Sequence, residues 1–132
     1  MSEVYDLYQE GRRRLRKGMS AQATVPLEKA RRLAPGEASI REALGIAYFR
    51  IRRFAEAEAE FRALLELSPT DPYAHYALGR TLEQQGQESE ANTHYRLAAS
   101  MDPSSARYAR HARPRLSASD TADEALAEGD TA

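Results

Sequence analysis

His75, His94 and His111 are the side chains of this chain that titrate near neutral pH and commonly ligate metals. None belongs to an H-E-x-x-H helical pair, and their spacing does not suit zinc. At least two are expected to ride on helix surfaces. Glu56, Glu58 and Glu60 form a carboxylate run of the residue type used for general acid–base work. On a helix, residues two apart point around the cylinder and not together, so the expectation is a solvated convex face. Cysteine is absent, which removes disulfides, thiol nucleophiles and cysteine metal sites. The glycines are dispersed and build no phosphate-cradling loop. No cofactor or metal is therefore expected. What remains is a stock of 7 tyrosines and 17 arginines, side chains that bind partners more often than they transform them.

Charge narrows the partner class. Arg12-Arg13-Arg14 with Arg16-Lys17 forms one basic run, and Arg107, Arg110, Arg113 and Arg115 form another. Carboxylates interrupt or flank both, and the pI of 6.3 is far below that of a typical nucleic-acid binder, so nucleic acid is not the expected partner. All 19 Lys and Arg lie in residues 1–116, whereas Asp120, Asp123, Glu124, Glu128 and Asp130 follow without a single basic residue. Residues 114–132 are expected to form a disordered acidic tail, since their small and acidic composition cannot bury enough surface to order itself. Such a tail could compete for a basic groove, but a solvated tail is the favoured reading. The N-terminal residues carry no basic stretch followed by an apolar run, and no membrane span is visible, so a cytoplasmic protein is expected.

The elements that would position these residues are helices. Ile40, Ala43, Leu44, Ala47, Tyr48 and Ile51 recur at spacings of three and four, as do Phe54, Ala57, Phe61, Leu64 and Leu65. Only Arg52 and Arg53 separate the two stripes, which leaves room for a tight turn and forces an antiparallel pair. Gly18 and Gly86 suit the left-handed end of a helix. Asp71-Pro72 supplies an N-cap and a proline at the first helical position. The pattern predicts helices over 3–17, 20–33, 37–52, 54–67, 71–85 and 88–101, and a short seventh over 104–113. Pro26 falls inside the second, where it removes one backbone hydrogen bond and is expected to bend the helix slightly.

A period of 34 residues organises the whole. Gly11, Gly45 and Gly79 keep it, as do Ala23, Ala57 and Ala91, then Leu27, Phe61 and Tyr95, and finally Pro35, Pro69 and Pro103. The second unit reads Leu44-Gly45-x2-Tyr48, Ala57-x3-Phe61, Pro69; the third reads Leu78-Gly79-x2-Leu82, Ala91-x3-Tyr95, Pro103. These residues resemble the tetratricopeptide repeat, whose signature is W-x2-L-G-x2-Y, A-x3-F and P. The first unit is looser, with Glu10 in the leucine place and Arg14 in the tyrosine place. Leu7, Arg41 and His75 stand where the signature has tryptophan. The resemblance covers residues 4–105.

This resemblance implies an all-α fold, a right-handed α-solenoid of three helix-turn-helix units over about 4–37, 38–71 and 72–105. Residues 1–113, with a capping helix at 104–113, would form one domain. Small residues such as Gly45 and Ala57 are expected to face each other at each hairpin crossing, with Tyr48 and Phe61 filling the sides. The first helix of each unit would line the concave side. Its residues left over from packing are Tyr5, Tyr8, Arg12 and Arg16, then Ser39, Glu42, Ile46, Phe49 and Arg50, then Tyr73, Tyr76, Arg80, Glu83 and Gln84. Four arginines against two glutamates favour an acidic or carboxylate-bearing peptide. The competing reading makes several tyrosines packing residues and leaves the arginines solvated. Relatives that grip a chaperone's C-terminal carboxylate use lysine, asparagine and arginine where this chain has Tyr8, Arg12, Ala43, Tyr73 and Ala77, so that specialisation is rejected. The implied function is non-enzymatic protein–protein interaction as an adaptor, scaffold or assembly factor, with a small dedicated chaperone for secreted or assembling subunits as the alternative. The mainly alanine cap is expected to cover Leu82, Tyr95 and Ala98 thinly, which leaves self-association open.

Overall fold

The structure, a computed structural model, describes residues 2–112. Within them lie seven helices and no strand: α1 (Glu3–Arg16), α2 (Ser20–Leu33), α3 (Ala38–Arg50), α4 (Phe54–Leu67), α5 (Pro72–Gln84), α6 (Glu88–Met101) and α7 (Ala106–His111). The expected tail at 114–132 lies outside the described residues. Helix starts follow the local chemistry. Ser2, Asp71 and Ser105 each accept a backbone N–H of the first turn, at 3.0–3.2 Å, and Pro72 opens α5. Each hairpin turns the same way. Gly18, Arg52 and Gly86 occupy the left-handed region at φ 76°, 63° and 79°. The next residue's N–H then reaches back to a carbonyl of the last turn, as in Arg53 N–H to Tyr48 O at 2.9 Å. Arg52 does this without glycine's freedom.

The helices pair as α1–α2, α3–α4 and α5–α6, and the hairpins stack in order along one continuous core. Inside each hairpin a large side chain also covers the glycine, beyond the small-against-small arrangement expected. Glycine faces a large side chain: Gly11 lies under Leu27, Gly45 under the Phe61 ring, and Gly79 under the Tyr95 ring. A Cβ on Gly79 would sit 2.7 Å from the Tyr95 ring and 3.2 Å from the Ala91 carbonyl oxygen. The large residue supplies the buried area and the glycine supplies its room.

Pro26 is accommodated inside an unbroken α2. Proline has no N–H for the carbonyl of Gln22 one turn back, and Arg14 donates to that oxygen instead at 2.9 Å. Arg14 also holds Glu10. Two of the residues that depart from the repeat signature in the first unit are thus partners.

Three expectations need correction. Glu60 is not solvated: it is 4% exposed and is held by Arg31 of α2 and by Arg41 of α3, the latter at 3.1 Å. A carboxylate leaves water only when such partners satisfy it. Glu58 also points inward, accepting from Arg62 and from Gln85 of the next hairpin, both at 2.8 Å. His75 does not ride on the surface but is buried against His94, itself half-buried. Finally, Leu82, Tyr95 and Ala98 are fully covered. Helix α7 docks not through its alanines but through Tyr108 and His111, whose rings lie 5.1–5.2 Å from Tyr76 and Tyr95.

Two outcomes test this packing. Gly45→Ala gains about 1 kcal/mol of helix propensity but overpacks the Phe61 ring, and the overpacking of about 1–3 kcal/mol prevails. Urea unfolding is expected to show a net loss that shrinks in a Phe61→Leu background; equal losses in both backgrounds would break the assignment. Arg14→Ala is expected to cost about 0.5–1.5 kcal/mol. The same change made on Pro26→Ala, which restores the missing N–H, should cost measurably less.

Candidate peptide groove

Helices α1, α3 and α5 share one face of the stack, and three adjoining hollows run along it. The first, about 460 Å³, lies between Tyr5 and Tyr8 of α1 and Ser39 and Ile40 of α3. The second, about 340 Å³, is bounded by Tyr8, Arg12, Leu15, Glu42, Ile46 and Tyr73. The third, about 280 Å³, lies among Phe49, Arg50, Tyr73, Tyr76, Arg80 and Arg107. Tyr8 borders the first and second, and Ile46 and Tyr73 border the second and third, so the hollows join into one groove. Helical spacing explains the alignment. Residues 5, 8 and 12, then 42, 46 and 49, then 73, 76 and 80 each follow one side of their helix.

The groove is aromatic in its walls and charged at intervals. In the middle hollow the carboxyl of Glu42 is pushed above the usual range by burial and by the charge of Asp71, while Arg12 pulls it back. Burial, reinforced by Glu42, pushes the Tyr73 hydroxyl up to about 12. Tyr73 therefore stays a hydrogen-bond donor at every physiological pH. Arg12 lies over the Tyr8 ring at 5.7 Å. Arg80 lies over both the Phe49 and Tyr76 rings, at 5.8 and 5.9 Å, and donates to the Tyr76 hydroxyl at 3.0 Å. Arg50 donates to the Leu15 carbonyl at 3.2 Å.

Among the residues singled out in the sequence, Tyr5, Tyr8, Arg12, Ser39, Glu42 and Ile46 line the groove. So do Phe49, Arg50, Tyr73, Tyr76 and Arg80. Arg16, Glu83 and Gln84 do not line it; Glu83 instead accepts from the Tyr95 hydroxyl at 3.0 Å. Tyr76 is 7% exposed and serves mainly as packing, as the competing reading held for some tyrosines. The first-helix pattern does not single out Leu15 or Arg107, yet both line the groove. Ala43 and Ala77, which stand at the places where relatives hold a carboxylate, line it as well. In the sequence Arg107 belongs to a basic run and to the short seventh helix, and neither feature places it on the groove.

The family model of the tetratricopeptide repeat matches residues 8–72 and again 43–106. This chain belongs to the tetratricopeptide repeat family. Solved repeat proteins share its fold. The first tetratricopeptide domain of Spaghetti (RPAP3), bound to the HSP90 peptide SRMEEVD, superposes with a TM-score of 0.80 at 20% identity. The match covers 95% of this chain and 94% of that one. MamA gives 0.80 at 24% identity over 83% of this chain and 64% of its own. YrrB, described as a tetratricopeptide repeat protein with an unusual peptide-binding site, gives 0.78 at 22% identity, covering 86% of this chain and 58% of its own. In sequence, cellulose synthase operon protein C of Pseudomonas fluorescens (strain SBW25) is 37% identical over 87 residues, 66% of this chain. The chain spans only 7% of that relative's length. The expected all-α repeat fold is thereby established.

Outside the groove, two histidines of this repeat protein meet. His75 Nε2–H donates to the Pro69 carbonyl at 3.2 Å, which leaves its Nδ1 to accept from His94 Nδ1–H at 3.0 Å. The rings stack at 5.3 Å. His94 Nε2, without a proton in this arrangement, lies 3.6 Å from Glu90, and Glu90 accepts from Arg62. Among the described residues no group of three His, Cys, Asp or Glu side chains converges to hold a metal ion. None of the described helices is long and apolar enough to cross a membrane.

Burial, and then the charge of His75, hold His94 below the usual imidazole range. The unfolded chain therefore takes up this proton first, near pH 6.5. Stability is full above that value and falls as the pH drops through it toward the lower folded pKa. Melting temperature is expected to decline from pH 7.5 to 5.5, above the ordinary carboxylate range, and His94→Gln is expected to flatten the decline. An unchanged slope in that variant would refute the role of the pair.

Proposed function

We propose that this chain is a non-enzymatic protein–protein interaction module, an adaptor, scaffold or assembly factor acting in the cytoplasm, that binds an extended segment of a partner along α1, α3 and α5. The observation that carries this reading is the continuity of the three hollows, whose shared walls are Tyr8, Ile46 and Tyr73. An extended chain presents a side chain to the same face every second residue, a spacing that successive hollows can read. Arg12, Arg50, Arg80 and Arg107 outnumber the lining carboxylates Glu37 and Glu42, which favours a segment carrying negative charge. The chaperone alternative calls for a broad apolar surface, and here charge interrupts the groove in its second and third hollows. The five places where relatives hold a C-terminal carboxylate are occupied here by Tyr8, Arg12, Ala43, Tyr73 and Ala77, all lining the groove but lacking the lysine and asparagine set.

Selection from a displayed library of random 12-residue peptides tests the reading. Peptides that bind the full chain are expected, and Ile46→Asp, which places a charge on the shared wall, is expected to weaken them at least tenfold by fluorescence polarisation. Unchanged helicity by circular dichroism would show that the variant remains folded. An empty selection, or binders indifferent to Ile46→Asp, would refute the groove.

A further inference from the structure

We propose that the third hollow is a composite pocket for an acidic side chain carried beside an apolar one in a partner protein's peptide, and that α7 is part of this site and not merely a cap. The proposal rests on the groove reading above and deepens it.

The contrast among the arginines carries the argument. Arg14, Arg31, Arg41, Arg53 and Arg62 each hold a carboxylate, and those held by Arg31, Arg41 and Arg62 tie separate helices together. Arg50, Arg80 and Arg107 converge on one hollow, yet form no ion pair among the described residues; their contacts are rings and a backbone carbonyl. Arg80 spends one N–H on the Tyr76 hydroxyl, and Arg107 lies over the face of the same ring at 5.6 Å. A guanidinium stacked on a ring is oriented by its face while its edge N–H groups stay available, which is the geometry that takes a carboxylate in two parallel bonds. Among the described residues, the carboxylates nearest this hollow have other contacts. Glu83, one turn along α5 from Arg80, accepts from Tyr95, and Glu42 lines the middle hollow.

The walls specify the second half of the ligand. Ile46, Phe49, Tyr73 and Ala77 make the floor of this 280 Å³ hollow largely apolar. An aliphatic or aromatic side chain there would exclude water and strengthen the neighbouring ion pairs. Glu42, half-buried one hollow away, repels a second acidic residue and so sets the register of the charge at the α7 end. The Arg107 side of the rim depends on the docking of α7. Tyr108 and His111 anchor that helix on Tyr76, the ring that also orients Arg80 and Arg107.

The test uses the full chain and the same 12-residue peptide library, with affinities measured at 150 mM salt. Enriched peptides are expected to carry Asp or Glu next to Leu, Ile, Phe, Tyr or Trp. Arg107→Glu and, independently of α7, Arg50→Glu are each expected to weaken these peptides about tenfold. Arg110→Glu makes the same charge change on the same helix away from the hollow, and is expected to change affinity less than twofold. A Lys-for-Glu peptide is expected to regain affinity for Arg107→Glu. Equal losses for Arg107→Glu and Arg110→Glu would reduce the effect to overall charge and overturn the pocket. Enriched peptides without acidic residues that are still lost in Ile46→Asp would overturn the pocket while leaving the groove intact. An empty selection would overturn both. Binding that emerges only after residues 117–132 are deleted would assign the pocket to the chain's own acidic segment, and an Arg107-dependent dimer in size-exclusion chromatography would assign it to a second copy. Either result overturns the partner peptide.

Discussion

The stack depends on one recurring contact, a large side chain lowered onto a glycine in the opposing helix. Leu27 on Gly11, Phe61 on Gly45 and Tyr95 on Gly79 close the three hairpins, and each large residue is at most 1% exposed. Any other residue in the glycine place would force the helices apart or push the ring from its site, because a packed interior has no spare volume. The same geometry repeated at a fixed interval gives each hairpin the same shape. Identical shapes can then stack, each burying the stripe its neighbour leaves uncovered.

Around that constant contact the repeat tolerates chemistry of very different kinds. The slot formed by residues 41 and 60 holds an arginine on a buried carboxylate, and the equivalent slot at 75 and 94 holds two stacked histidines. In the first unit the equivalent residues are Leu7 and Pro26, both apolar, and both contribute to the packed interior. Arg41 and His75 nonetheless share one task. Each donates to the carbonyl of the proline that ended the preceding unit, Pro35 at 3.1 Å and Pro69 at 3.2 Å. A donor at this place ties the inter-unit loop to the next helix. Polar links between hairpins do similar work elsewhere: Tyr48 to Glu28, Arg62 to Glu90 and Gln85 to Glu58, each at 2.8 Å. Partly buried polar links of this sort are stabilising because both partners of each are in place.

The groove is a consequence of this regularity. Packing consumes one side of α1, α3 and α5, and the residues on their other side fall into register with a spacing set by the stack. Aromatic walls then perform two functions at once. Tyr76 fills the interior against Tyr95 and Tyr108 while its face orients two arginines toward the hollow. A ring that is buried for stability and still presents a π-face costs little conformational freedom on binding, which suits an anchor.

The chain's own letters decided the number of units, the helices within them and the side of each helix that faces the groove. Those properties follow from local period and from punctuation by glycine, proline and aspartate, and the helix limits differ from the expected ones by two residues at most. Pairings between residues distant in sequence were decided only when the chain folded. Nothing in a run of alternating glutamates reveals that Glu60 will meet Arg31 and Arg41, because those partners arrive from two other helices. His75 and His94 are nineteen residues apart and become neighbours only through the hairpin. Arg107 likewise enters the groove because Tyr108 and His111 seat α7 on Tyr76. Period acts through the backbone of one helix, whereas charge satisfaction and pocket closure act across helices, and only the assembled stack brings those surfaces into contact.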